Sequence, residues 1–130
     1  MNPSSVGDIG ELAFAKRCVE WGLNISFPFS SSSRYDCIVD GNNRLWRVQV
    51  KTTQKKKKRE GTHGYRYSIT IASGLSKLPY NESEIDLLAV YLMDKDKFYL
   101  FWKKTFEGKS RIYIYENGKY DDYIETFNFL

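Results

Sequence analysis

RLWRVQVKTTQKKKKR, residues 44 to 59, joins the alternating pattern of a β-strand to a block of positive charge. Side chains of a strand point to opposite faces in turn, so Arg47, Gln49 and Lys51 share one face. The two valines between them face the other way and are the natural core residues. A strand that buries only its valine face does not require this polar trio, so the trio is either a solvated surface or part of a site.

Length and composition predict one globular domain over residues 1–130, because the chain is long enough for one hydrophobic core and too short for two ordinary domains. A hydrophobic share of 42% excludes an intrinsically disordered chain, and an aromatic share of 16% favours a β-rich body. The net charge is +4, but the cations cluster while acids lead in the last fifteen residues. This asymmetry suits a phosphate-rich partner, and an anionic membrane would also satisfy it.

The cysteines and the N-terminus favour an intracellular protein. Cys18 and Cys37, with one histidine in the chain, are too few for a four-ligand structural zinc site, and we expect both to be buried thiols. The opening MNPSSVGDIGE lacks the basic and apolar regions of a signal peptide, and no apolar run is long enough to cross a bilayer. We therefore expect reduced thiols and no membrane anchor.

The pattern along the chain predicts an N-terminal helix followed by a mixed sheet. Ser4 or Ser5 is expected to cap the helix and Gly22 to end it. Its apolar face is expected to comprise Ile9, Leu12, Ala13, Phe14, Cys18, Val19 and Trp21. After a short strand in NISFPF, the four serines at 30–33 form a flexible link.

Three hairpins are expected in the rest of the chain. The first joins RYDCIVD to RLWRVQVKT, the second joins DLLAVYLM to KFYLFWK, and the third is IYIYENGKY around Asn117 and Gly118. We expect a mobile loop over 55–64, and either a short helix or an irregular turn over 73–85, where Pro79 opposes a long helix.

Four polar residues that are distant in sequence are expected to meet at one edge of this sheet. The first hairpin places Asp36, near the start of one strand, beside Gln49 and Lys51 at the end of the other, and the helix supplies Glu11. These residue types suit phosphodiester hydrolysis. Carboxylate and carbonyl oxygens hold a hard cation such as Mg²⁺, and a lysine beside it orients or deprotonates the attacking water.

The spacing of Asp36, Gln49, Val50 and Lys51, preceded by a helix with GELAFAKRC, resembles the PD-(D/E)XK nuclease superfamily. The resemblance covers residues 7 to 53. It implies an α/β (α+β) fold with a restriction-endonuclease-like core, and a DNA endonuclease that uses Mg²⁺, with Mn²⁺ as a substitute. In that pattern Asp36 is the principal metal ligand, the Gln49 side chain and the Val50 carbonyl assist, Glu11 supports them, and Lys51 serves the water.

The sequence departs from the family pattern at two positions. Tyr35 stands where the name-giving proline would be, and Gln49 replaces the second acid. An amide oxygen can ligate Mg²⁺ but brings no charge, so affinity for the ion should fall. The superfamily that the chain resembles includes active enzymes with this Q-X-K form. The alternative is a catalytically inactive DNA-binding module that keeps the nuclease fold.

The resemblance leaves two substrate classes open. The compact length and the Gly-Glu opening of the helix resemble archaeal-type Holliday junction resolvases, which are structure-selective. The segments YDCIVD and RVQVKTT resemble intron-encoded homing endonucleases of the same superfamily, which are site-specific. Enzymes of this size commonly cut both strands as homodimers or higher homo-oligomers, so we expect the same here.

The predicted DNA contacts are mostly cations near the hairpin. A basic run in a nuclease-like context favours phosphate binding over a merely solvated loop. A peripheral membrane protein is the weaker interpretation, since no amphipathic basic helix accompanies the run. His63 is expected to be an ordinary loop residue. The predicted DNA-binding residues are Ser32, Arg34, Arg47, Lys55, Lys56, Lys57, Lys58 and Arg59.

Overall fold

The computed structural model describes residues 1–61, 64–73, 78–79 and 84–129, and His63 therefore lies outside the described residues, as does much of the ambiguous 73–85 segment. In chain order the elements are α1 (Pro3–Glu20), β1 (Asn24–Ser26), β2 (Cys37–Gly41), β3 (Arg44–Thr53), β4 (Lys57–Lys58), β5 (Tyr65–Thr70), β6 (Ala72–Ser73), β7 (Leu78–Pro79), β8 (Leu87–Leu92), β9 (Lys97–Trp102), α2 (Lys103–Phe106) and β10 (Arg111–Ile114). Two 3₁₀ turns follow, at Asp121–Tyr123 and Phe127–Phe129.

The main sheet has five strands in the order β1-β2-β3-β8-β9. Only the β3–β8 pairing within it is parallel, so the sheet is mixed, as predicted. The β2–β3 and β8–β9 hairpins are confirmed. Asn42 and Asn43 make the first turn with φ of 54° and 61°, the left-handed values that a two-residue hairpin loop requires and that asparagine tolerates.

The predicted third hairpin is wrong. Strand β10 pairs instead with β5 in a second sheet of order β10-β5-β4, and the chain after Asn117 enters the 3₁₀ turn at Asp121–Tyr123. The reason is packing, because the rings of Tyr120 and Tyr123 lie 5.0 and 5.6 Å from the ring of Phe101. These rings pack against the main sheet, so the segment that carries them forms a 3₁₀ turn and does not form a strand.

The loop predicted over 55–64 is partly a strand. Lys57 and Lys58 form β4 and pair with Arg66 and Tyr65 of β5. The basic run is therefore attached to the second sheet, and its register against that sheet is fixed.

Helix α1 begins earlier than predicted and buries a narrower face. Asn2, not Ser4 or Ser5, is the N-cap, and its Oδ1 accepts a hydrogen bond from the Ser5 N–H at 2.9 Å. The buried residues are Gly10, Phe14 and Cys18, spaced four apart. Three residues of the predicted face are exposed: Leu12 by 71%, Val19 by 66% and Trp21 by 52%. Gly22, at φ 75°, follows the helix as expected.

The main sheet is covered on both faces, which explains why every residue of β8 is buried. On one face, Phe14 and Cys18 of α1 pack with Val48 and Val50. On the other, the second sheet packs against Leu88, Val90 and Phe101 through Tyr67, Ile69, Ile112 and Ile114. Cys18 and Cys37 are both buried and free, as predicted. Among the described residues, no helix has the length and apolarity needed to cross a bilayer.

Candidate active site

Asp36 is held at the point where β2 begins beside β3. Its backbone N–H donates to the Val48 carbonyl at 2.8 Å, which extends the ladder by one residue. Its side chain then accepts the Val50 N–H on Oδ2 at 2.7 Å. Strand β2 itself begins one residue later, with Cys37 paired to Val48, so Asp36 lies directly beside the Val48–Val50 part of β3. The strand pairing thus places Asp36 beside residues that the sequence separates from it.

Gln49 and Lys51 lie on the face of β3 away from α1. In the parallel register they stand opposite Leu88 and Val90, which belong to the core under the second sheet. Both are half-buried, so this part of β3 is not an ordinary solvated surface.

Asp36 and Lys51 perturb one another. Burial raises the pKa of Asp36, while the hydrogen bond from Val50 and the charge of Lys51 oppose that rise. Burial lowers the pKa of Lys51, and the charge of Asp36 opposes the fall. Active sites often contain a partly buried carboxylate and ammonium group whose charges shift each other's pKa.

Glu11 joins this pair because α1 lies unusually close to β3. A Cβ on Gly10 would stand 1.8 Å from the Thr52 Oγ1, so only glycine permits this approach. The pKa of Glu11 is raised by burial, and then by the negative charges of Asp36 and Asp8. Glu11 and Lys51 are therefore each coupled to Asp36 by charge, and we refer to these three residues as the electrostatic group.

The donor set of the site fits a hard cation. Glu11 and Asp36 offer carboxylate oxygens, Gln49 offers an amide oxygen, and Val50 offers a main-chain carbonyl, the ligand types that Mg²⁺ prefers. The repulsion of Glu11 by Asp36 is a cost that a cation between them would relieve. Across the described residues no group of three or more His, Cys, Asp or Glu side chains is placed to hold a metal ion.

The serine loop forms a wall beside these carboxylates. Glu11 and Asp36 line a cleft of about 300 Å³ together with Tyr35, residues 27–31 and Ser33. The Ser32 Oγ lies 2.7 Å from the Ser30 Oγ at this wall. Arg34 forms an ion pair with Glu84 at 3.3 Å. The DNA contacts assigned to Ser32 and Arg34 remain predictions.

Arg47 makes an ion pair that the sequence did not indicate. Its Nε donates to Asp86 Oδ2 at 3.1 Å, its Nη2 donates to Oδ1 at 3.0 Å, and its backbone N–H also donates to Oδ2. The buried Asp86 also lies within ion-pair distance of Arg44 and Lys103. This guanidinium joins β3 to the start of β8, so the structure favours a structural role for Arg47 over its predicted contact with DNA.

The basic run divides into residues with different surroundings. Lys55 and Lys57 line a second cleft of about 460 Å³ with Lys51 and the first turns of α1. The Lys56 Nζ is instead 2.7 Å from the Glu116 Oε1. Lys58 is exposed on β4, and the exposed Arg59 guanidinium lies 5.6 Å from the ring of Tyr115.

Comparisons with known proteins give the family and the fold of the chain. A family model described as PD-(D/E)XK endonuclease matches residues 1–128. The fold is similar to that of the bacterial homing endonuclease I-Ssp6803I, with a TM-score of 0.76 and 22% sequence identity, over 98% of this chain and 92% of that one. At this identity the likeness is one of fold, and the fold is restriction-endonuclease-like, as the sequence predicted. A search of curated proteins found no significant match.

Proposed function

The chain belongs to the PD-(D/E)XK endonuclease family, and we propose that it is a divalent-metal-dependent enzyme that cuts duplex DNA at specific sites. Family membership makes it a nuclease that hydrolyses DNA phosphodiester bonds. The observation that carries the metal-dependent mechanism is the electrostatic group of Glu11, Asp36 and Lys51 at the junction of α1, β2 and β3.

The site residues divide the work of hydrolysis. Asp36 is the principal ligand, because the Val50 N–H fixes its carboxylate in place. The Gln49 amide and the Val50 carbonyl complete the donor set, and Glu11 supplies the second negative charge. A bound Mg²⁺, or Mn²⁺ in its place, would supply the Lewis-acid chemistry that polarises the phosphate and acidifies a water. Lys51, whose pKa burial lowers, orients that water and stabilises negative charge on the phosphate.

Two observations support a site-specific rather than a structure-selective enzyme. The likeness to a homing endonuclease extends over almost the full length of both chains, so it includes the second sheet as well as the active-site sheet. The strand segments YDCIVD and RVQVKTT also resemble that class. Because one small active site addresses one strand, cutting of both strands requires a homodimer or a higher homo-oligomer.

The test is cleavage of three matched substrates in Mg²⁺: a four-way junction, a linear duplex of the same sequence, and a library of plasmids with random inserts. The proposal predicts cuts at a recurrent duplex sequence in the library, with no preference for the junction. Cuts confined to the junction would assign the chain to the resolvase-like class. An enzyme that cuts none of these forms, while it still binds them, is an inactive DNA-binding module.

A further inference from the structure

The second sheet presents a face that carries no acidic side chain. Its strands β4, β5 and β10 read KK, YRYSIT and RIYI, and all of their residues lie in the described part of the chain. The buried residues of this sheet are Tyr67, Ile69, Ile112 and Ile114. Alternation therefore turns Arg66, Ser68, Arg111 and Tyr113 outward.

Strand register gathers these outward residues into one patch. Lys57 pairs with Arg66, Tyr113 pairs with Ser68, and Arg111 pairs with Thr70. Cross-strand partners lie about 5 Å apart, so the three cations lie on a continuous surface. We call this surface, comprising Lys57, Arg66, Ser68, Arg111 and Tyr113, the basic face.

Neighbouring side chains hold the arginines of the basic face in place. The Arg66 guanidinium lies 3.7 Å from the centre of the Tyr113 ring, and its Nη1 donates to the Tyr115 hydroxyl at 3.0 Å. Arg111 donates to the Ser68 hydroxyl. Stacked arginines have lost much of their rotamer freedom already, which lowers the entropy cost of binding an anionic partner.

The basic face reaches the cleft that Lys51 lines. Lys57 connects the two, because it pairs with Arg66 and also lines that cleft. The nearest acid beyond β10 is Glu116, which is paired with Lys56 and Lys95 at 2.7 Å each. Because the described strands β4, β5 and β10 contain cations and no acids, the basic face suits a phosphate-rich partner.

We propose that the basic face docks in the major groove of the duplex beside the scissile phosphate and supplies sequence readout. This inference rests on the proposed function. The major groove accepts a two-stranded β-ribbon, and arginine side chains there bond guanine O6 and N7. Four residue steps from Arg66 to Thr70 span about 13 Å, or about four base pairs.

The experiment compares two double variants, each in an Asp36→Ala background so that the DNA stays intact. One is Arg66→Gln with Arg111→Gln. The matched control, Lys16→Gln with Lys104→Gln, removes the same charge from exposed positions on α1 and α2. Binding of a labelled duplex is measured against salt, and each protein then selects from a pool of random duplexes. Circular dichroism melting checks the fold.

We expect the arginine pair to abolish sequence enrichment and to lower the affinity for the enriched duplex to that for random DNA, with the slope of log affinity against log salt changed by less than about 0.9 per residue, because these side chains contact bases rather than phosphates. The control should keep its enrichment and its affinity for the enriched duplex. Duplexes enriched by the parent and remade with 7-deazapurines, which lack the N7 acceptor of the major groove, should bind no better than random DNA. Arg66→Lys with Arg111→Lys should keep the salt slope and lose enrichment.

Three results would overturn this assignment: unchanged enrichment in the arginine variant, equal losses in the control, or undiminished binding of the 7-deazapurine duplex. Failure of the nuclease proposal is distinguishable from these. It would leave enrichment intact in the parent and show the wild-type protein unable to cut the enriched duplex in Mg²⁺.

Discussion

Gln49 is the residue at which this chain departs most from its family. The family pattern has an acid at this position, and the structure places Gln49 on a half-buried part of β3, between Val48 and Val50, whose backbones both hydrogen-bond Asp36. Its amide oxygen can ligate a cation without adding charge. The site therefore has two carboxylates, those of Glu11 and Asp36, whereas the family pattern would add a third at position 49. The cation affinity of the site, rather than its geometry, should be the property that glutamine changes.

Gln49→Glu should therefore lower the Mg²⁺ concentration that gives half-maximal cleavage, while the fold is retained. The measurement is the cleavage rate as a function of Mg²⁺ for the two proteins, with Gln49→Ala as the control that removes the oxygen altogether. An identical Mg²⁺ dependence of wild type and Gln49→Glu would show that residue 49 does not contact the ion.

The metal-site residues were accessible to sequence reasoning because they lie in a compact pattern, with Asp36, Gln49 and Lys51 close along the chain. Asp86 could not be identified from a local pattern, because its main partner Arg47 lies 39 residues away and no local pattern marks the pair. Only the parallel pairing of β3 with β8 brings the two together. The signal that could have indicated an ion pair is the position of Asp86 directly before an apolar strand. The part of the chain that precedes it contains more cations than acids.

Asp86→Asn should lower the free energy of unfolding by about 1–3 kcal/mol at neutral pH, because the partly exposed Arg47, Arg44 and Lys103 lose the buried carboxylate that pairs with them. The hydrogen bonds and positive charges around Asp86 outweigh its burial and hold its pKa at about 2. Its contribution is thus complete above the ordinary aspartate pKa and is lost as the pH falls through about 2. Denaturant unfolding at pH 7 and pH 2 checks this, and an equal deficit at both values would contradict it.

The contact between α1 and β3 is the element-scale feature on which the site depends. Gly10 faces Thr52 so closely that any Cβ would overlap the Thr52 hydroxyl oxygen, which is buried without a hydrogen-bond partner among the described residues. The next residue along the helix is Glu11. The glycine therefore sets the distance between the helix carboxylate and the strand residues of the site.

Gly10→Ala should push α1 away from β3, lower the free energy of unfolding by about 1–3 kcal/mol and reduce cleavage. Thr52→Ala, which removes the overlapping oxygen, should restore part of both losses in the double variant. The measurement is a double-mutant cycle on stability and cleavage rate. Strictly additive effects of the two substitutions would contradict a direct contact between these positions.

Any contribution of the basic run to DNA binding should come from its charge, and the structure gives its residues different surroundings. Neutral residues at 55–59 should weaken binding to every DNA sequence alike and flatten the salt slope by about two to four units. Cleavage at saturating enzyme should change little. Lys56→Gln alone is the internal control, since Lys56 is already paired with Glu116. A wild-type salt slope in the neutral variant would mean that the run is only a solvated segment.

Local patterns predicted those elements whose partners are adjacent in sequence. The β2–β3 and β8–β9 hairpins have tight turns with strand patterns on both sides, and both are confirmed. The pairing of β10 with β5 joins distant segments. The Asn117-Gly118 turn pattern directly after β10 instead predicted a hairpin with the residues that follow it, and that prediction is wrong. Likewise, the apolar periodicity of α1 could not reveal that a glycine, rather than Leu12 or Val19, meets the sheet.

At the scale of the whole molecule, α1 and the second sheet cover opposite faces of the main sheet. The site lies where these layers meet the ends of β2 and β3, and a cleft runs from it toward β4. One layer therefore contributes Glu11, the central layer contributes Asp36, Gln49 and Lys51, and the other layer carries the basic face. On the proposals above, this arrangement would let one short chain both cut DNA and read its sequence.

Asp36→Asn separates function from stability in this architecture. Asparagine keeps the shape and can still accept the Val50 N–H. Because burial raises the pKa of Asp36, ionising that group at neutral pH works against folding, and the neutral variant should melt at or above the wild-type temperature. A large loss of stability would show that the charge of Asp36 holds the fold together.

The most direct test of the account is the single-turnover rate at which wild type and Asp36→Asn cleave a bound duplex in Mg²⁺. We expect wild-type cleavage that stops when the metal is chelated, and a loss of about a thousandfold in Asp36→Asn with duplex affinity unchanged. Cleavage by Asp36→Asn at the wild-type rate, or wild-type cleavage that persists in a chelator, would contradict an active site built on Asp36 and a divalent cation.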